Sequence, residues 1–397
     1  MSGSVARCVG IAHGSPLKSG VQRVAANCSS KTGPRRTSIS TTGNVAGCGC
    51  GRRGRPVSFS IVDSSGRARR FLRLGLVGGA ALLGGCAWDG PQSSLVARSE
   101  FARDILHVYG IITWVAIGIT AVVTVALGWV LLRFRERPGA PLPPQIRGHA
   151  LLEISWTIAP AIVLLIIAVP TIAVVFRTQA APPRGALEVI VRGRQWWWEF
   201  YYPDYQLTTA NELHLPAGRP ATLILEGPDV IHSFWVPQLG GKRDVIPGRV
   251  NRLSFTPEMP GEYLGQCAEF CGTSHANMGL RAIVDAADSF ERWVTAERAP
   301  AIQPPAGPAA DGAAVFASSA CVGCHTVRGV SGGLLGPDLT HFGRRRTLAA
   351  GILPNTVDNV TAWILDPQRL KPGAKMPALG LSEAQARAVA AYLASLK

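Results

Sequence analysis

Acidic residues are nearly absent from the first 85 positions, where Asp63 is the only acid beside thirteen lysines and arginines. This segment carries a net charge of +12, so it accounts for most of the formal +15 of the 397-residue chain. The rest of the chain is close to neutral. A basic surface that binds nucleic acid is therefore not expected on the body of the protein, and we predict no nucleic-acid partner.

Cysteine is also sparse, with nine in the chain. Four lie in the basic segment, Cys86 stands alone, and the other four form two close pairs. This distribution argues against a framework of structural disulfides. The pairs are Cys267 with Cys271 and Cys321 with Cys324.

The N-terminal segment has the pattern of a bacterial lipoprotein. Residues 67–86 place arginines before a short apolar stretch that ends in Leu83-Gly-Gly-Cys86, which predicts a signal peptide and a lipidated Cys86. The alternative is an uncleaved anchor with an incidental cysteine. Residues 1–66 are rich in Ser, Gly and Arg and predict a disordered basic extension. One hypothesis is that translation starts downstream of Met1; N-terminal sequencing that finds Met1 in the native protein would contradict it.

Two apolar runs, Ile105–Leu132 and Leu151–Phe176, are each long enough to cross a bilayer as a helix. Arginines cluster in the loop between them, so the positive-inside rule places this loop in the cytoplasm. We therefore predict a transmembrane helical hairpin over residues 100–178, in a multi-pass protein of the bacterial cell membrane whose later domains face the periplasm. The alternative is a soluble two-helix core hairpin.

Beyond residue 185 the chain changes to short alternating segments separated by Gly and Pro, which predict an all-β sandwich or barrel of six or seven strands over residues 186–298. A Pro- and Ala-rich linker over residues 299–309 leads to an all-α domain over residues 310–397. The predicted strands are Leu187–Val191, Trp196–Tyr202, Ala221–Glu226, Val230–Val236, Val250–Phe255 and Leu280–Val284, and the predicted last helix is Glu383–Leu396, which follows Ser382.

A loop near the end of the sandwich carries soft metal ligands. It reads Cys267-Ala-Glu269-Phe-Cys271-Gly-Thr-Ser-His275-Ala-Asn-Met278. Thiolate, imidazole and thioether are the ligands of redox copper, and two cysteines four apart can each bridge two copper ions. The alternative is a Cys267–Cys271 disulfide. One further imidazole is needed, and His232 at the start of a predicted strand is the candidate.

The C-terminal domain carries a haem-attachment motif. Cys321-Val-Gly-Cys324-His325 supplies two thiols for covalent haem and a proximal imidazole. A thioredoxin-like redox pair is the alternative, but the βαβ pattern that it needs is missing. Met376 is the only methionine in this domain and is the candidate for the second axial ligand, with His341 as the alternative.

The middle of the chain resembles subunit II of the haem-copper oxidases. The motifs are the copper loop, Gln195-Trp196-Trp-Trp198, His232-Ser-Phe-Trp235 and Ile246-Pro-Gly-Arg-Val-Asn251. The resemblance implies a cupredoxin-like sandwich with binuclear copper (CuA), in which Cys267 and Cys271 bridge the ions. By the same resemblance, His232, His275, Met278 and the carbonyl of Glu269 complete the ligand set, the Glu269 carboxylate binds magnesium, Trp196 accepts electrons and Glu153 lies at the mouth of a proton channel.

The last segment resembles a small class I cytochrome c. Gly336-Pro337-Asp-Leu339 matches the stretch whose proline carbonyl fixes the proximal histidine, so the resemblance assigns this role to Pro337. A cytochrome c fused behind a subunit II resembles the caa branch of bacterial cytochrome c oxidases. The implied electron path runs from a donor, the bc complex or a small cytochrome c, to haem c, to CuA and then to subunit I.

His107 is the lone histidine within or at the edge of either apolar run. The haems and CuB of an oxygen-reducing site therefore belong to subunit I, and subunit III is a further expected partner of this electron-entry subunit. Three alternatives stay open. They are a quinol-oxidase subunit II, which lacks the copper ligands present here, a CuA-type nitric oxide reductase subunit, and a membrane-tethered redox relay without an oxidase partner.

Overall fold

The computed structural model describes residues 90–139, 141 and 144–397. The predictions for residues 1–66 and for the signal peptide at 67–86, with Cys86, lie outside these described residues. Helix α1 spans Glu100–Arg133 and α2 spans Ala150–Thr178, so each predicted span is a continuous helix. Among the described residues, these two helices are long and apolar enough to cross a membrane.

Local hydrogen bonds explain where the hairpin begins and how its outer ends are joined. The Ser99 hydroxyl accepts a hydrogen bond from the backbone N–H of Ala102 at 3.1 Å, which caps the first turn of α1. Asp104 in the second turn of α1 and Arg177 at the end of α2 form an ion pair at 3.1 Å. The apolar side chains along both helices are exposed, as expected for helices whose surroundings are lipid.

The sandwich domain (residues 186–298) consists of two five-stranded sheets in the described part of the chain. The strands are β1 Leu187–Arg194, β2 Trp197–Tyr202, β3 Leu207–Ala210, β4 Glu212–Pro216, β5 Ala221–Glu226, β6 His232–Trp235, β7 Arg243–Val245, β8 Asn251–Phe255, β9 Gly261–Cys267 and β10 Gly279–Asp285. One sheet has the order β3-β2-β1-β5-β8 and the other β4-β10-β9-β6-β7; β1 with β5 and β4 with β10 are parallel, and the other pairs are antiparallel. The predicted all-β sandwich is confirmed.

Alternating burial positions the sheets face to face. In β1, Leu187, Val189 and Val191 are fully buried, and the residues between them are not. The helix α3, Ala287–Arg298, then covers one edge of the sandwich with Phe290 and Val294. This helix was not predicted from the sequence, although the i, i+3, i+4 spacing of Phe290, Trp293 and Val294 is a helical signal.

The helical domain (residues 308–397) has its own core. Its elements are α4 Pro308–Ser318, α5 Cys321–Cys324, α6 Val357–Leu365, α7 Pro367–Leu370 and α8 Glu383–Ser395, together with two short hairpins, Thr326–Val327 with Ser331–Gly332 and Thr347–Leu348 with Leu353–Pro354. Helix α8 begins at a capping box, because Ser382 accepts from the N–H of Gln385 and the Gln385 side chain accepts from the N–H of Ser382. The predicted all-α domain is therefore confirmed.

Helices α4 and α8 cross at Gly312. A Cβ atom added there would lie 1.9 Å from the carbonyl oxygen of Ala388, so the two backbones touch directly. We expect Gly312→Ala to destabilise the helical domain by on the order of 3 kcal/mol, because backbone atoms rather than a flexible side chain must move. Thermal unfolding of this domain measures the effect. Gly332→Ala is the control, since an added Cβ there meets no atom within 4 Å; an equal change in both variants would contradict the account.

Candidate metal centre and haem site

Three parts of the sandwich domain bring the predicted copper ligands together. Strand β6 begins at His232, and the neighbouring strand β9 ends at Cys267. Phe234 pairs with Cys267 across these strands, which brings His232 close to the loop. The loop then turns back through a short 3₁₀ helix, His275–Asn277, so that Met278 lies beside the start of β10.

The donor atoms lie close to one another. The Cys267 and Cys271 sulfurs are 3.7 Å apart, well beyond the 2.05 Å or so of a disulfide bond. Distances to the other predicted ligands lie between 3.2 and 3.9 Å. They are His232 Nδ1 to Cys267 Sγ 3.9 Å, His275 Nδ1 to Cys271 Sγ 3.6 Å, Met278 Sδ to Cys271 Sγ 3.8 Å and the Glu269 carbonyl oxygen to Cys267 Sγ 3.2 Å.

The two cysteine side chains interact directly. The interaction with Cys271 lowers the pKa of Cys267 to about 3, against the effect of burial, and His232 adds to this lowering. The same interaction, together with burial, raises the pKa of Cys271. One thiolate is therefore present without metal, and the second thiol must lose its proton when metal binds. Two buried sulfurs, two imidazoles and a thioether fit a soft redox metal such as copper.

Asp229 orients the first histidine from outside the ligand set. Its carboxylate accepts hydrogen bonds from His232 Nε2 at 2.9 Å and from the backbone N–H groups of Gln195 and Val230, each at 2.7 Å. Burial opposes ionisation, but these donors lower the pKa of Asp229 to about 2. Burial alone would lower the pKa of His232. The bonds to Asp229 and Cys267 outweigh burial, so the net effect is a raised pKa. The His232 ring is thereby fixed with Nδ1 toward the sulfurs.

Because of this contact, we expect Asp229→Asn to lower copper affinity by about 10- to 100-fold while the sandwich stays folded. Copper retained per chain after dialysis against graded chelator measures the loss. Asp285→Asn is the matched control. Asp285 forms a similar contact with His214, at 2.8 Å, in a part of the sandwich that is remote from the copper loop. Equal copper retention in the two variants would show that Asp229 does not support copper binding through His232.

The haem-attachment residues line one cavity of about 450 Å³. Cys321, Cys324, His325 and Met376 all face it, and the two cysteines are free thiols suited to thioether bonds. His325 Nδ1 donates to the Pro337 carbonyl at 2.8 Å. Burial lowers the pKa of His325 against the effect of this bond, so the imidazole is held neutral as an iron ligand requires. His341, the alternative axial ligand, lies outside this lining and contacts the Ala299 carbonyl through Nε2 at 3.0 Å.

Trp196 lies between the two sites. Its indole Nε1 donates to the Cys271 carbonyl at 3.0 Å, and its side chain also lines the haem cavity. An added Cβ at Gly272 of the copper loop, or at Gly373 near Met376, would lie 3.1 Å from the indole ring. Trp196 is only 8% exposed because the helical domain covers it.

Two predicted residues have less support from their surroundings. Glu153 lies in the first turn of α2, where its carboxylate accepts from the backbone N–H of His149 at 3.3 Å. Glu269 lies in the copper loop, but the cluster of potential metal ligands found among the described residues consists of His232, Cys267 and Cys271. Magnesium binding by the Glu269 carboxylate is therefore unsupported and stays a prediction.

Families of known proteins match in three places. The transmembrane domain of cytochrome c oxidase subunit II matches residues 93–174, its periplasmic domain matches 206–286, and cytochrome c matches 309–397. The cytochrome c oxidase subunit 2 of Alkalihalophilus pseudofirmus is 37% identical over 338 residues, which cover 83% of this chain and 97% of that protein. The chain belongs to the cytochrome c oxidase subunit 2 family.

The chain is also similar to proteins from other bacteria. The cytochrome c oxidase subunit 2 of Bacillus sp. strain PS3 is 36% identical over 288 residues, covering 66% of this chain and 80% of that protein. A quinol oxidase subunit 2 of Bacillus cereus is 31% identical over 225 residues, covering 53% and 74%. The solved periplasmic domain of cytochrome oxidase subunit II of Bradyrhizobium japonicum is 31% identical, covers 30% of this chain and 97% of that chain, and has a TM-score of 0.29.

Membership confirms the resemblance read from the sequence, a cytochrome c oxidase subunit II with a fused cytochrome c domain. The subunit II domain implies CuA copper, and the cytochrome c domain implies haem c. The two apolar helices and the periplasmic domain imply a membrane protein whose domains face outward. A subunit II also implies a partner subunit I, and the protein is thus a component of an oxidoreductase complex involved in electron transport.

Proposed function

We propose that this chain is the electron-entry subunit of a proton-pumping cytochrome c oxidase. Electrons from the bc complex or a small cytochrome c would pass through haem c and CuA to the oxygen-reducing site of subunit I, in a complex that also contains subunit III. The observation that carries the proposal is the position of Trp196, which contacts the Cys271 carbonyl and lines the haem cavity. When bound, haem c and CuA each accept and release single electrons.

The protein's own residues hold these groups in fixed surroundings. Cys267, Cys271, His232, His275, Met278 and the Glu269 carbonyl would hold the copper of CuA. Cys321 and Cys324 would attach the haem, His325 and Met376 would bind its iron, and Pro337 would orient His325. Buried ligands that stay in place limit rearrangement between oxidation states, which suits fast electron transfer.

We also propose that Glu153 takes up protons near the mouth of a channel into subunit I. Its place in the first turn of α2, next to the arginine-rich loop, supports this role, because that loop is on the predicted cytoplasmic side. A free-standing redox relay would have no use for such a residue.

Purification from the native membrane tests the function against its alternatives. We expect a large haem-bearing subunit to co-purify, and the complex to consume oxygen when supplied with a reduced small cytochrome c. Consumption of nitric oxide without oxygen consumption would favour a CuA-type nitric oxide reductase. Isolation of this chain without a haem-bearing partner would favour a membrane-tethered relay.

A further inference from the structure

The boundary between the sandwich and helical domains contains a buried lysine. Lys371 is 3% exposed, and its ammonium group donates to the Trp196 carbonyl at 2.6 Å and to the Ala349 carbonyl at 3.0 Å. Burial lowers the pKa of Lys371 to about 7, and hydrogen bonds to the protein must offset the cost of removing this amino group from water. One of its two acceptors belongs to the other domain, so these bonds form in full only when the domains are in contact.

Main-chain hydrogen bonds surround this lysine. The Glu212 carboxylate, 4% exposed in β4, accepts from the N–H groups of Arg346 at 2.8 Å and Thr347 at 3.0 Å. The Ser274 hydroxyl donates to the Pro372 carbonyl at 2.5 Å, and the Gly279 N–H donates to the Ala350 carbonyl at 3.1 Å. Bonds to the main chain fix position more narrowly than contacts between long exposed side chains, because fewer rotatable bonds separate the partners.

Lys371 therefore binds the main chain of Trp196, and the loop that follows Lys371 covers the indole ring of Trp196. Gly373, two residues after Lys371, packs against the ring in the left-handed conformation, with φ of 83°. On the opposite side the same indole donates to the copper loop at Cys271. Displacement of the Lys371 segment would move the Met376 loop away from Trp196.

We propose that Lys371 is a positioning residue that, with Glu212, holds the helical domain on the sandwich domain so that Trp196 stays between the copper and haem sites. The inference rests on the proposed electron transfer between those sites and adds how its geometry is kept. A linker alone would raise the local concentration of the haem to roughly millimolar and leave docking to chance encounters. A fixed contact makes the transfer a first-order step that does not depend on ionic strength.

Two measurements on the purified full complex test the role, with Lys371→Met compared to wild type. Hydrogen exchange read by mass spectrometry follows the amides of Arg346, Thr347 and Gly279, which are protected by contacts between the domains. We expect their exchange in Lys371→Met to be faster by on the order of tenfold to a hundredfold, the combined effect of losing two buried hydrogen bonds, because two carbonyls lose their donor. The second measurement is the rate of electron transfer. A light flash triggers reduction of the haem, and the absorbance then records how fast copper reoxidises it.

Wild type is expected to show one transfer phase that is independent of ionic strength, and Lys371→Met to add a slower phase that varies with it. Lys397→Met, the same substitution at an exposed position, is the control and should behave as wild type. If Lys371→Met does not fold, as judged by its haem and copper content, Glu212→Gln takes its place with the same expected changes.

The outcomes separate the two proposals. Unchanged exchange, or faster exchange with an unaltered transfer rate, would overturn the positioning role of Lys371. A wild-type complex with protected amides but no electron transfer from haem to copper would overturn the proposed function instead.

Discussion

Cys271→Ser is expected to remove the proposed binuclear copper centre and to leave the haem spectrum of the same chain intact. The Cys271 sulfur lies within 3.9 Å of three other donor atoms, those of Cys267, His275 and Met278. A serine hydroxyl is a hard, protonated donor that binds soft copper poorly. We expect the affinity for copper to fall by more than about 100-fold, since even the loss of a group that only orients a metal ligand lowers metal affinity by about 10- to 100-fold. Metal analysis and the EPR spectrum measure the loss.

The haem of the same molecule provides the internal control. Because the helical domain has its own core, haem content and the haem absorption spectrum should equal those of wild type. Oxygen consumption with a reduced cytochrome should be lost at the same time. A variant that keeps two copper ions with the wild-type EPR spectrum would show that Cys271 is not a bridging ligand.

Met376→Ala is expected to lower the potential of the haem by on the order of 0.1–0.3 V, part of the 0.8 V or so that axial ligands span. Met376 lines the haem cavity, and a thioether ligand favours the reduced iron. A lower potential leaves less haem reduced by the external donor, so turnover falls although copper is unaffected. A redox titration of the haem absorption measures the shift.

Met259→Ala is the matched control, because Met259 is half exposed on the sandwich domain and contacts Arg98 rather than the haem cavity. The haem reduction potential of Met259→Ala should equal that of wild type. An unchanged potential in Met376→Ala, together with a shift in His341→Ala, would instead make His341 the axial ligand.

The metal-binding motifs could be read from the sequence because their residues are close along the chain. Cys267, Cys271, His275 and Met278 share one loop, and the structure places their donor atoms together. His232 is 35 residues away from Cys267 and was identified as the further imidazole because it lies at the start of a predicted strand. Asp229 was missed, although its place three residues before His232 could have marked it as the support of that histidine.

Several parts of the sandwich were less visible in the sequence. Strands β3, β4, β7 and β9 were not predicted. Strand β7 has only three residues, and β9 contains two glycines and a glutamate that weaken its alternating pattern. Strands β3 and β4 are separated by Asn211 alone, which adopts a positive φ of 62° and obscures where one strand ends.

The contact between the domains could not be predicted, because it joins residues far apart in the sequence. Lys371 and Trp196 are 175 positions apart, and Glu212 and Thr347 are 135 apart. Neither Lys371 nor Glu212 belongs to a motif, and each alone would be taken for an exposed charged residue. Their burial follows only once both domains have folded and met.

Copper and covalent haem per chain, determined together with the copper EPR spectrum of the purified protein, test the central claim most directly. Two coppers and one c-type haem per chain, with a mixed-valence copper signal, are the predicted result. One copper per chain, or none with a Cys267–Cys271 disulfide, would contradict the CuA centre and reduce the chain to a membrane-bound cytochrome c.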